Sequence, residues 1–365
     1  HPRAELSDWA DERAQLLVDP EQGPNWHIGV LPFTDGSTAV SLVSSHCVVD
    51  GLGVGVAVAE AISGIRRDLG YAPPRSRTWL RAVAEDGCRT VRGLPDVGRA
   101  IVAAVKDLRR RKDASDTSGG SQPVAVAAGS GDERVIVPMV MVHVDEDDWD
   151  TRAKALGGMS HHLVAGFAAE FGGRMRRRRS RDGKVTVQLP ISERTETDTR
   201  ANALSFVSIT VDPAQVTTSL HQIRIASRQA FKTMREKPDD TAQINAQTAA
   251  VPFVPRRLLA RIADAAYAYD DLPVGCSNAG DIGAALGRPD GTAAAFGSVR
   301  GGEQRVTRGH LERTRGQLVL WVVRFGGKIC ITAAGYQPGA VTTKTELRGL
   351  VAQTLADFDL TGVVT

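Results

Sequence analysis

Short runs of β-branched and aliphatic residues alternate with amphipathic stretches along most of the chain. Apolar runs predict strands at 38–49, 134–144, 184–191, 203–211, 317–325 and 328–336. Helical periodicity predicts helices at 53–70, 94–113, 145–156, 159–179, 219–236 and 342–358. Gly326 and Gly327 predict a hairpin between the last two strands, and Ser160 is the expected N-cap of its helix. The alternation indicates an α/β (α+β) protein.

The segment 113–133 separates two such groups of elements. It is rich in Ser, Gly and Ala and poor in bulky apolar residues, which is typical of a flexible linker. A chain of 365 residues is also longer than one hydrophobic core usually serves. We therefore predict an N-terminal lobe at 1–112, a linker at 113–133 and a C-terminal lobe at 134–365.

Composition excludes several classes of protein. No apolar run approaches the roughly 18 residues of a membrane-spanning helix. The 4 cysteines lie far apart without a CxxC pair, which favours reduced thiols and a cytoplasmic location. No HExxH motif is present, and the adjacent His161 and His162 would not share a helix face, so no metal site is predicted. The chain begins without Met, and we expect that part of the natural N-terminus precedes it.

Positive charge is concentrated at 174–184, where 6 Arg and 1 Lys face 1 Asp. Such a run can meet anionic lipid, nucleic acid or coenzyme phosphates. The simpler interpretation is a solvated last helical turn, where cations complement the helix dipole. Aromatic residues make up 5% of the chain and none lies within the run, so nucleic acid is not a predicted partner. Peripheral contact with an anionic lipid surface remains an alternative.

Candidate chemistry is concentrated in SLVSSHCVVDGLGVG, residues 41–55, where a strand-like run ends on His46, Asp50 and three spaced glycines. One interpretation is a dinucleotide loop, because the glycines follow a strand and open a helix. The spacing is GxGxG rather than GxGxxG, however. The acidic residue expected about 20 positions on would have to be Asp68, which lies in the charged tail of the predicted helix. A nicotinamide-dependent oxidoreductase is therefore the weakest hypothesis.

The other interpretation is general-base chemistry. In HxxxDG the strand end would hold His46 at the mouth of a cleft, while the turn brings Asp50 back towards it. Gly51 would allow close backbone packing where a Cβ obstructs. A neutral imidazole suits the role, since its reference pKa of about 6.5 leaves it mostly unprotonated at neutral pH. A lone His at a strand end is more often structural, so the wider sequence has to decide.

This stretch resembles the HHxxxDG motif of the CoA-dependent acyltransferase superfamily, which includes chloramphenicol acetyltransferase and peptide-synthetase condensation domains. The wax ester synthase/diacylglycerol acyltransferase-like branch, common in actinobacteria, is the most similar. Its PLW motif resembles GPNW at 23–26. Its proline-serine-arginine segment and following asparagine resemble LPISER at 189–194 and Asn202. Its late Ser/Asn-Asn loop resembles SNAG at 277–280.

The chain departs from that pattern at several positions. Ser45 stands where the first His of the pair is usual, Ser160-His161 replaces an Asn-Asp pair, and Ala201 replaces a glycine before Asn202. In the family a sizeable segment precedes the PLW-like motif, so an N-terminal portion is expected to be missing here. These departures leave a catalytically silent binding protein on the same fold as an alternative.

The resemblance implies a two-lobed chloramphenicol-acetyltransferase-like fold with the active site in a tunnel between the lobes. It implies acyl transfer from acyl-CoA, or from an acyl carrier protein, to a hydroxyl or amine, in lipid, wax ester or triacylglycerol-type metabolism. Acyl-CoA is then a co-substrate, and no permanently bound cofactor is expected. The absence of a GxSxG elbow favours direct transfer over an acyl-serine route.

Roles for individual residues follow from the same resemblance. His46 and Asp50 are the candidate catalytic residues, with His46 as the base. The family aspartate usually holds its loop by pairing with an arginine, which implies Arg194 as the partner of Asp50, with Arg200 as a fallback. Possible oxyanion donors or substrate contacts are left unranked; they are Ser45, Asn202, Ser205, Ser277 and Asn278.

Overall fold

The structure, a computed structural model, describes residues 1–70, 73, 76–95, 98, 102, 133–195, 198–236, 272–281 and 286–365. Its strands are β1 (Trp26–Pro32), β2 (Thr38–Ser44), β3 (Met139–Asp145), β4 (Val185–Ser192), β5 (Leu204–Val211), β6 (Val274–Asp281), β7 (Gln317–Phe325), β8 (Lys328–Tyr336) and β9 (Val363–Val364). The α/β class is confirmed.

Nine helices can be named in the described part of the chain. They are α1 (Leu6–Gln15), α2 (Gly51–Ile62), α3 (79–95), α4 (Glu146–Ala155), α5 (Ser160–Arg174), α6 (Pro213–Val216), α7 (His221–Glu236), α8 (Arg308–Arg313) and α9 (Lys344–Asp357). None of these helices is both long enough and apolar enough to cross a membrane.

Seven strands form one mixed sheet in the order β5-β4-β6-β7-β8-β3-β9, while β1 and β2 form a separate antiparallel pair. Within the large sheet, β6 runs parallel to both β4 and β7, and the other neighbours are antiparallel. The carboxyl ends of β4 and β6 therefore lie at the same edge of the sheet. The chain segment that follows β4 at this edge carries the candidate site.

The main core lies between one face of this sheet and the helices that cover it. Helix α5 contributes most, with nine of its 15 residues buried. Its small residues allow close approach to the sheet: a Cβ on Gly172 would come within 2.5 Å of the Cγ2 atom of Val274. The largest side chains that close this core are fully buried; they include Trp149, Phe167, Phe171 and Phe358.

The chain divides into two compact units. The first contains residues 1–66, 126–230 and 271–365, and the second contains 67–125 and 231–270. The first unit holds residues from both sides of the predicted linker 113–133, so it does not coincide with either predicted lobe. That linker lies, apart from Glu133, outside the described residues, as does most of the predicted helix 94–113. The lobe boundaries and the tunnel between lobes stay predictions.

Two predicted elements near the site have different limits. The strand expected over 38–49 ends at Ser44, and a turn follows it. The helix expected over 53–70 begins at Gly51 and ends at Ile62. It ends there because Gly64 adopts a left-handed φ of 67°, which lets the Ile65 amide bond back to the Glu60 carbonyl at 2.9 Å.

The N-terminus of α5 also differs from the prediction. The N-cap is Met159 rather than Ser160, which is the first residue inside the helix. The Nδ1 atom of His162 accepts a hydrogen bond from the Met159 amide at 3.1 Å, so an imidazole takes the place that Glu or Gln has at the third position of a capping box. By contrast, the limits of β7 and β8 and the hairpin at Gly326 and Gly327 are confirmed.

Candidate active site

The turn that carries His46 is fixed on its N-terminal side by main-chain hydrogen bonds. The Ser45 amide donates to the Asn25 carbonyl at 2.8 Å, which ties the end of β2 to the residue before β1. The Ser45 carbonyl accepts from Val48 at 3.1 Å, and its hydroxyl accepts from the Cys47 amide at 3.3 Å. The hydroxyl of Ser45 thus stabilises the turn itself, as Ser does in many tight turns. GPNW contributes through the carbonyl of Asn25.

His46 is exposed at the tip of this turn. Its carbonyl oxygen accepts a hydrogen bond from the Nδ2 atom of Asn202 at 2.9 Å. Within the described part of the chain, its imidazole makes no hydrogen bond. Asn202, predicted as an oxyanion donor or substrate contact, therefore has a defined structural contact: its amide fixes the backbone beneath the imidazole. That contact leaves the second amide proton of Asn202 available.

Asp50 is the anchor on the other side of the turn and is 1% exposed. It is the N-cap of α2, where its Oδ1 atom accepts from the Gly53 amide at 2.8 Å. Arg194 donates through Nε to Oδ1 at 3.0 Å and through Nη2 to Oδ2 at 2.7 Å. The Ala203 amide donates to Oδ2 at 2.9 Å. The predicted pairing of Asp50 with Arg194 is present as a bidentate ion pair.

This geometry favours a structural role for Asp50 over a catalytic one. Its carboxylate has about four lone-pair positions, and four donors occupy them. Burial raises the pKa of the Asp50 carboxyl, but the hydrogen bonds from Arg194, Ala203 and Gly53 outweigh it and hold that pKa below its ordinary value. The catalytic role of Asp50 stays a prediction, and its four hydrogen bonds favour the role of an anchor.

Arg194 also organises the loop between β4 and β5. Its Nη1 atom donates to the Asp198 carbonyl at 3.1 Å, and its Nη2 atom donates to the carbonyls of Arg200 at 2.8 Å and Ala201 at 3.1 Å. The Ala201 carbonyl in turn accepts from the Asp50 amide at 2.9 Å. The fallback partner, Arg200, pairs instead with Asp198 at 2.7 Å.

The close approach predicted for Gly51 occurs instead at Gly53. A Cβ on Gly51 would meet nothing within 4 Å, so the expectation for that residue is wrong. A Cβ on Gly53 would lie 2.8 Å from Val49 Cγ2, 3.2 Å from Asp50 Oδ1 and 3.3 Å from Arg194 Cζ. The reason is positional: Gly51 is the first residue of α2 and faces outward, while Gly53 lies directly over the ion pair.

Three further candidates lie on neighbouring strands. Ser205 is 2% exposed on β5 and shares the face of Val207 and Ile209. Ser277 and Asn278 lie within β6 rather than in the predicted loop, at a bulge where Asn278 Oδ1 accepts from the Gly280 amide at 3.0 Å. Their strand ends at the same edge of the sheet as β4, but no hydrogen bond among the described residues joins Ser277 or Asn278 to His46. Their roles stay predictions.

The dinucleotide hypothesis loses its structural context. Within the described residues, β2 pairs only with β1 and antiparallel, whereas the fingerprint belongs to a parallel βαβ unit. The N-terminus of α2, where a pyrophosphate would bind, already accommodates the carboxylate of Asp50. A second negative group at that position would be repelled. Of the glycines in GLGVG, Gly53 instead accommodates the Asp50–Arg194 pair.

Sequence comparison gives no relatives: neither a family model nor a curated protein matches the chain. Solved structures do resemble it. The wax ester synthase/diacylglycerol acyltransferase from Marinobacter aquaeolei VT8 has 12% identity and a TM-score of 0.49, with 98% of this chain and 76% of that chain covered. The first condensation domain of the calcium-dependent antibiotic synthetase has 12% identity and a TM-score of 0.49, with 98% and 74% covered.

PapA2 acyl transferase is also similar, at 17% identity and a TM-score of 0.44, with 98% of this chain and 73% of that chain covered. These are the kinds of protein that the sequence motifs resemble. At 12 to 17% identity the similarity concerns the fold alone.

Sequence reasoning missed several groups that hold the site together. They are backbone amides and carbonyls of Asn25, Ala201 and Ala203, whose positions no side-chain pattern encodes. It also missed the role of Gly53, although GLGVG drew attention to the right segment. The glycine-rich segment GLGVG was recognised in the sequence, but the glycine at position 53 makes room for the Asp50–Arg194 ion pair and not for a phosphate.

Proposed function

We propose that the protein is an acyltransferase in which His46 is the general base. The acyl group moves from a thioester, either acyl-CoA or an acylated carrier protein, to a hydroxyl or amine of the acceptor. The observation that supports this most directly is the anchored turn: the backbone of His46 is fixed from both sides, while its exposed imidazole is left unbonded within the described residues.

In the proposed reaction, an imidazole nitrogen of His46 accepts the proton of the acceptor group as its oxygen or nitrogen attacks the thioester carbonyl. The new C–O or C–N bond forms a tetrahedral intermediate whose oxyanion requires a hydrogen-bond donor. The C–S bond then breaks, and the imidazolium returns its proton to the departing thiolate. Ester or amide and free thiol are the products, and no further reactant is needed.

The oxyanion donor remains a choice among the predicted residues. The second amide proton of Asn202 is the best-placed candidate, because the side chain of Asn202 already donates a hydrogen bond to the His46 carbonyl. Asp50 and Arg194 do not touch the substrates in this mechanism and act by positioning His46. They hold the turn and the loop at 198–201 in place, so that the imidazole presents one orientation to the substrates.

The experiment is a screen of the purified protein against acyl-CoAs of several chain lengths with mixed alcohol and amine acceptors, reading the release of free thiol. We expect His46→Ala to lower the rate by about 10² to 10⁴, the usual contribution of a positioned base. Cys47→Ser is the matched control, because it changes the neighbouring exposed residue of the same turn and removes a thiol that reacts with the reagent.

We expect Cys47→Ser to retain the parent rate within a few-fold. A folded His46→Ala protein with nearly full activity contradicts the assignment of His46. An absence of thiol release from every donor, together with binding of acyl-CoA, favours the catalytically silent protein instead.

A further inference from the structure

The basic segment 174–184 separates into residues with different surroundings. Arg174, at the end of α5, forms an ion pair with Asp357. Arg179 pairs with Asp182. Other cations of the segment are exposed; they are Arg176, Arg178, Arg181 and Lys184. Arg177 fits neither description, since it is 4% exposed and forms no ion pair with any described residue.

Among the residues that the structure describes, the guanidinium of Arg177 has no hydrogen-bond acceptor. Its Nε and Nη2 atoms are both buried and unpartnered. The backbone explains why the side chain points inward: Arg176 adopts a left-handed φ of 56°, and the Arg177 amide donates to the Gly172 carbonyl at 2.9 Å. The chain therefore turns back against the end of α5 and carries this one side chain under the surface.

In the described part of the chain, no acidic group contributes to the surroundings of the Arg177 guanidinium. A Cβ on Gly316 would lie 3.1 Å from Arg177 Nη2 and 3.0 Å from Pro338 Cδ, so the guanidinium lies across from the turn at Pro338. The Oε1 atom of Gln337, in the same turn, is buried and unpartnered. Burial and then the neighbouring charge of Arg315 lower the pKa of Arg177 to about 10, which still leaves it protonated at neutral pH.

A protonated guanidinium buried without a counter-ion is one of the costliest arrangements in a folded protein. Unsatisfied buried groups in native proteins usually mark a bound water or ion. A donor-only group with a planar fork of N–H bonds matches an oxyanion and cannot hold a metal cation. The four exposed cations of the same segment add positive potential near Arg177, which favours a doubly charged ligand.

We propose that Arg177 is the anchor of an anion site that binds a phosphate group. The phosphate approaches from the side of Nη1, because the other two guanidinium nitrogens, Nε and Nη2, are buried. The N–H groups of the guanidinium bind two oxygens of the phosphate. The turn at 336–338 forms the opposite wall. The ligand is a free phosphate or phosphomonoester, or the headgroup of an anionic lipid, because the same chemistry recognises both.

The site is separate from the turn of His46. Arg177 precedes the first residue of β4, and Arg194 follows the last. The 8 residues of that strand span about 26 Å at 3.3 Å per residue. Gly316 and Tyr336 likewise lie at the start of β7 and the end of β8, the edge of the sheet opposite to the candidate active site. Failure of one proposal therefore leaves the other intact.

The test measures the melting temperature of the full chain against inorganic phosphate at constant pH, with chloride added to keep the ionic strength constant. For the parent we expect the melting temperature to rise by about 3 °C and then to level off, because a ligand that binds only the native state stabilises it. Arg177→Met should abolish the rise, because it keeps the length of the side chain and removes the fork. Arg181→Met, an exposed cation of the same segment, should keep it.

A second arm identifies the source of the phosphate. The protein is sedimented with vesicles of phosphatidylcholine, with and without phosphatidic acid. If the parent sediments only with the vesicles that contain phosphatidic acid, and Arg177→Met does not, the ligand is a lipid headgroup. Saturation by inorganic phosphate without vesicle binding assigns a soluble ligand.

The proposal is wrong if neither phosphate nor the vesicles act on the parent, or if Arg177→Met responds equally. If Arg177→Met does not fold, the ³¹P line width of phosphate is measured with the parent protein. Broadening that saturates with phosphate concentration supports a site, and the absence of saturable broadening contradicts the proposal.

Discussion

Asp50 accepts four hydrogen bonds, and they come from three separate parts of the chain. Gly53 belongs to α2, Arg194 follows β4, and Ala203 precedes β5. One carboxylate thus joins the helix after the His46 turn to the loop beside it. Because the pair with Arg194 is buried, its loss affects the position of the turn as well as the stability of the fold.

We expect Asp50→Asn to lower the free energy of unfolding by about 3 kcal/mol, since it keeps the shape of the side chain but leaves Arg194 without its counter-charge. Arg194→Gln should cost a similar amount, and the double variant should lose less than the sum. Chemical denaturation measures all three. Additive losses would mean that the residues do not interact, and a stable but inactive Asp50→Asn protein would return Asp50 to the chemistry.

The same pair predicts a pH dependence. The pKa of Asp50 in the folded protein lies below its ordinary value of 3.8, so ionised Asp50 contributes stability above that pH. This contribution is lost as the pH falls below 3.8 through the folded pKa. The difference in stability between the parent and Asp50→Asn should therefore be full at neutral pH and shrink in that acid range. A difference that grows on acidification contradicts the assignment.

Gly53 and Gly51 provide a matched pair of substitutions two residues apart on α2. Gly53→Ala places a methyl group 2.8 Å from Val49 Cγ2 and close to both partners of the ion pair, so we expect it to destabilise by about 1 to 3 kcal/mol. Gly51→Ala meets nothing within 4 Å and should change stability by less than about 0.5 kcal/mol. Equal stability of the two variants would show that Gly53 is not constrained.

The pairing of Asp50 with Arg194 could be predicted from the sequence, because two motifs far apart in the chain each carry a recognisable pattern. The importance of Gly53 over Gly51 could not. Which glycine lies over the ion pair depends on where α2 begins, and its first residue differs by two positions from the predicted one. Tertiary contact, and not local spacing, distinguishes the two.

Among the elements, those with strong local signals were predicted best. Strands β7 and β8 match the predicted limits because Gly326 and Gly327, with φ of 58° and 72°, define their turn. Strand β6, with the sequence VGCSNAGD, was not among the predicted strands, and the resemblance placed a loop at SNAG, 277–280. It is a strand because β4 and β7 pair with it on both sides, which is a tertiary effect that the sequence does not display.

Helix α1 links the β1–β2 pair to the rest of the first unit. A Cβ on Gly29 of β1 would come within 2.8 Å of Arg13 Cδ, so the helix packs directly on this strand. Asp11 forms ion pairs with Arg300 and, at 2.7 Å, with Lys344. The Arg300 side chain is 11% exposed, so it depends on this counter-charge.

We therefore expect Asp11→Asn to accelerate hydrogen exchange of the α1 amides by roughly 10-fold or more, corresponding to at least about 1.4 kcal/mol of local stability. Glu12→Gln is the control: Glu12 pairs with Arg13 at 2.8 Å but its side chain is 64% exposed, and such pairs contribute little. Mass spectrometry of exchange-quenched peptides measures both. Equal exchange in the two variants would show that α1 is held by other contacts.

In the whole molecule, the α/β class follows from the sequence and is present in the structure, while the predicted lobe boundaries stay predictions. The first unit combines segments more than 200 residues apart, and a composition-based linker cannot reveal such a combination. The motifs at 23–26, 41–55, 189–202 and 277–280 all lie on segments of this unit. Their order along the chain contains more information than the composition between them.

Thermal protection by different ligands distinguishes the acyltransferase proposal from the dinucleotide hypothesis. We expect acyl-CoA to protect the protein against heat and NAD or NADP not to. Binding to the native state alone stabilises by about 2.7 kcal/mol at a hundredfold excess over the Kd. The dinucleotides should fail because the N-terminus of α2 is capped by Asp50 and its strand lies in no parallel unit among the described residues.

His46→Ala separates binding from chemistry in this test. The imidazole acts on the acceptor proton and not on the donor, so the variant should be protected by acyl-CoA to nearly the same extent as the parent while thiol release falls. Protection of both proteins without any turnover would favour a silent binding protein. Protection by NAD or NADP but not by acyl-CoA would contradict the acyltransferase proposal, because it would require a phosphate site where the structure places the carboxylate of Asp50.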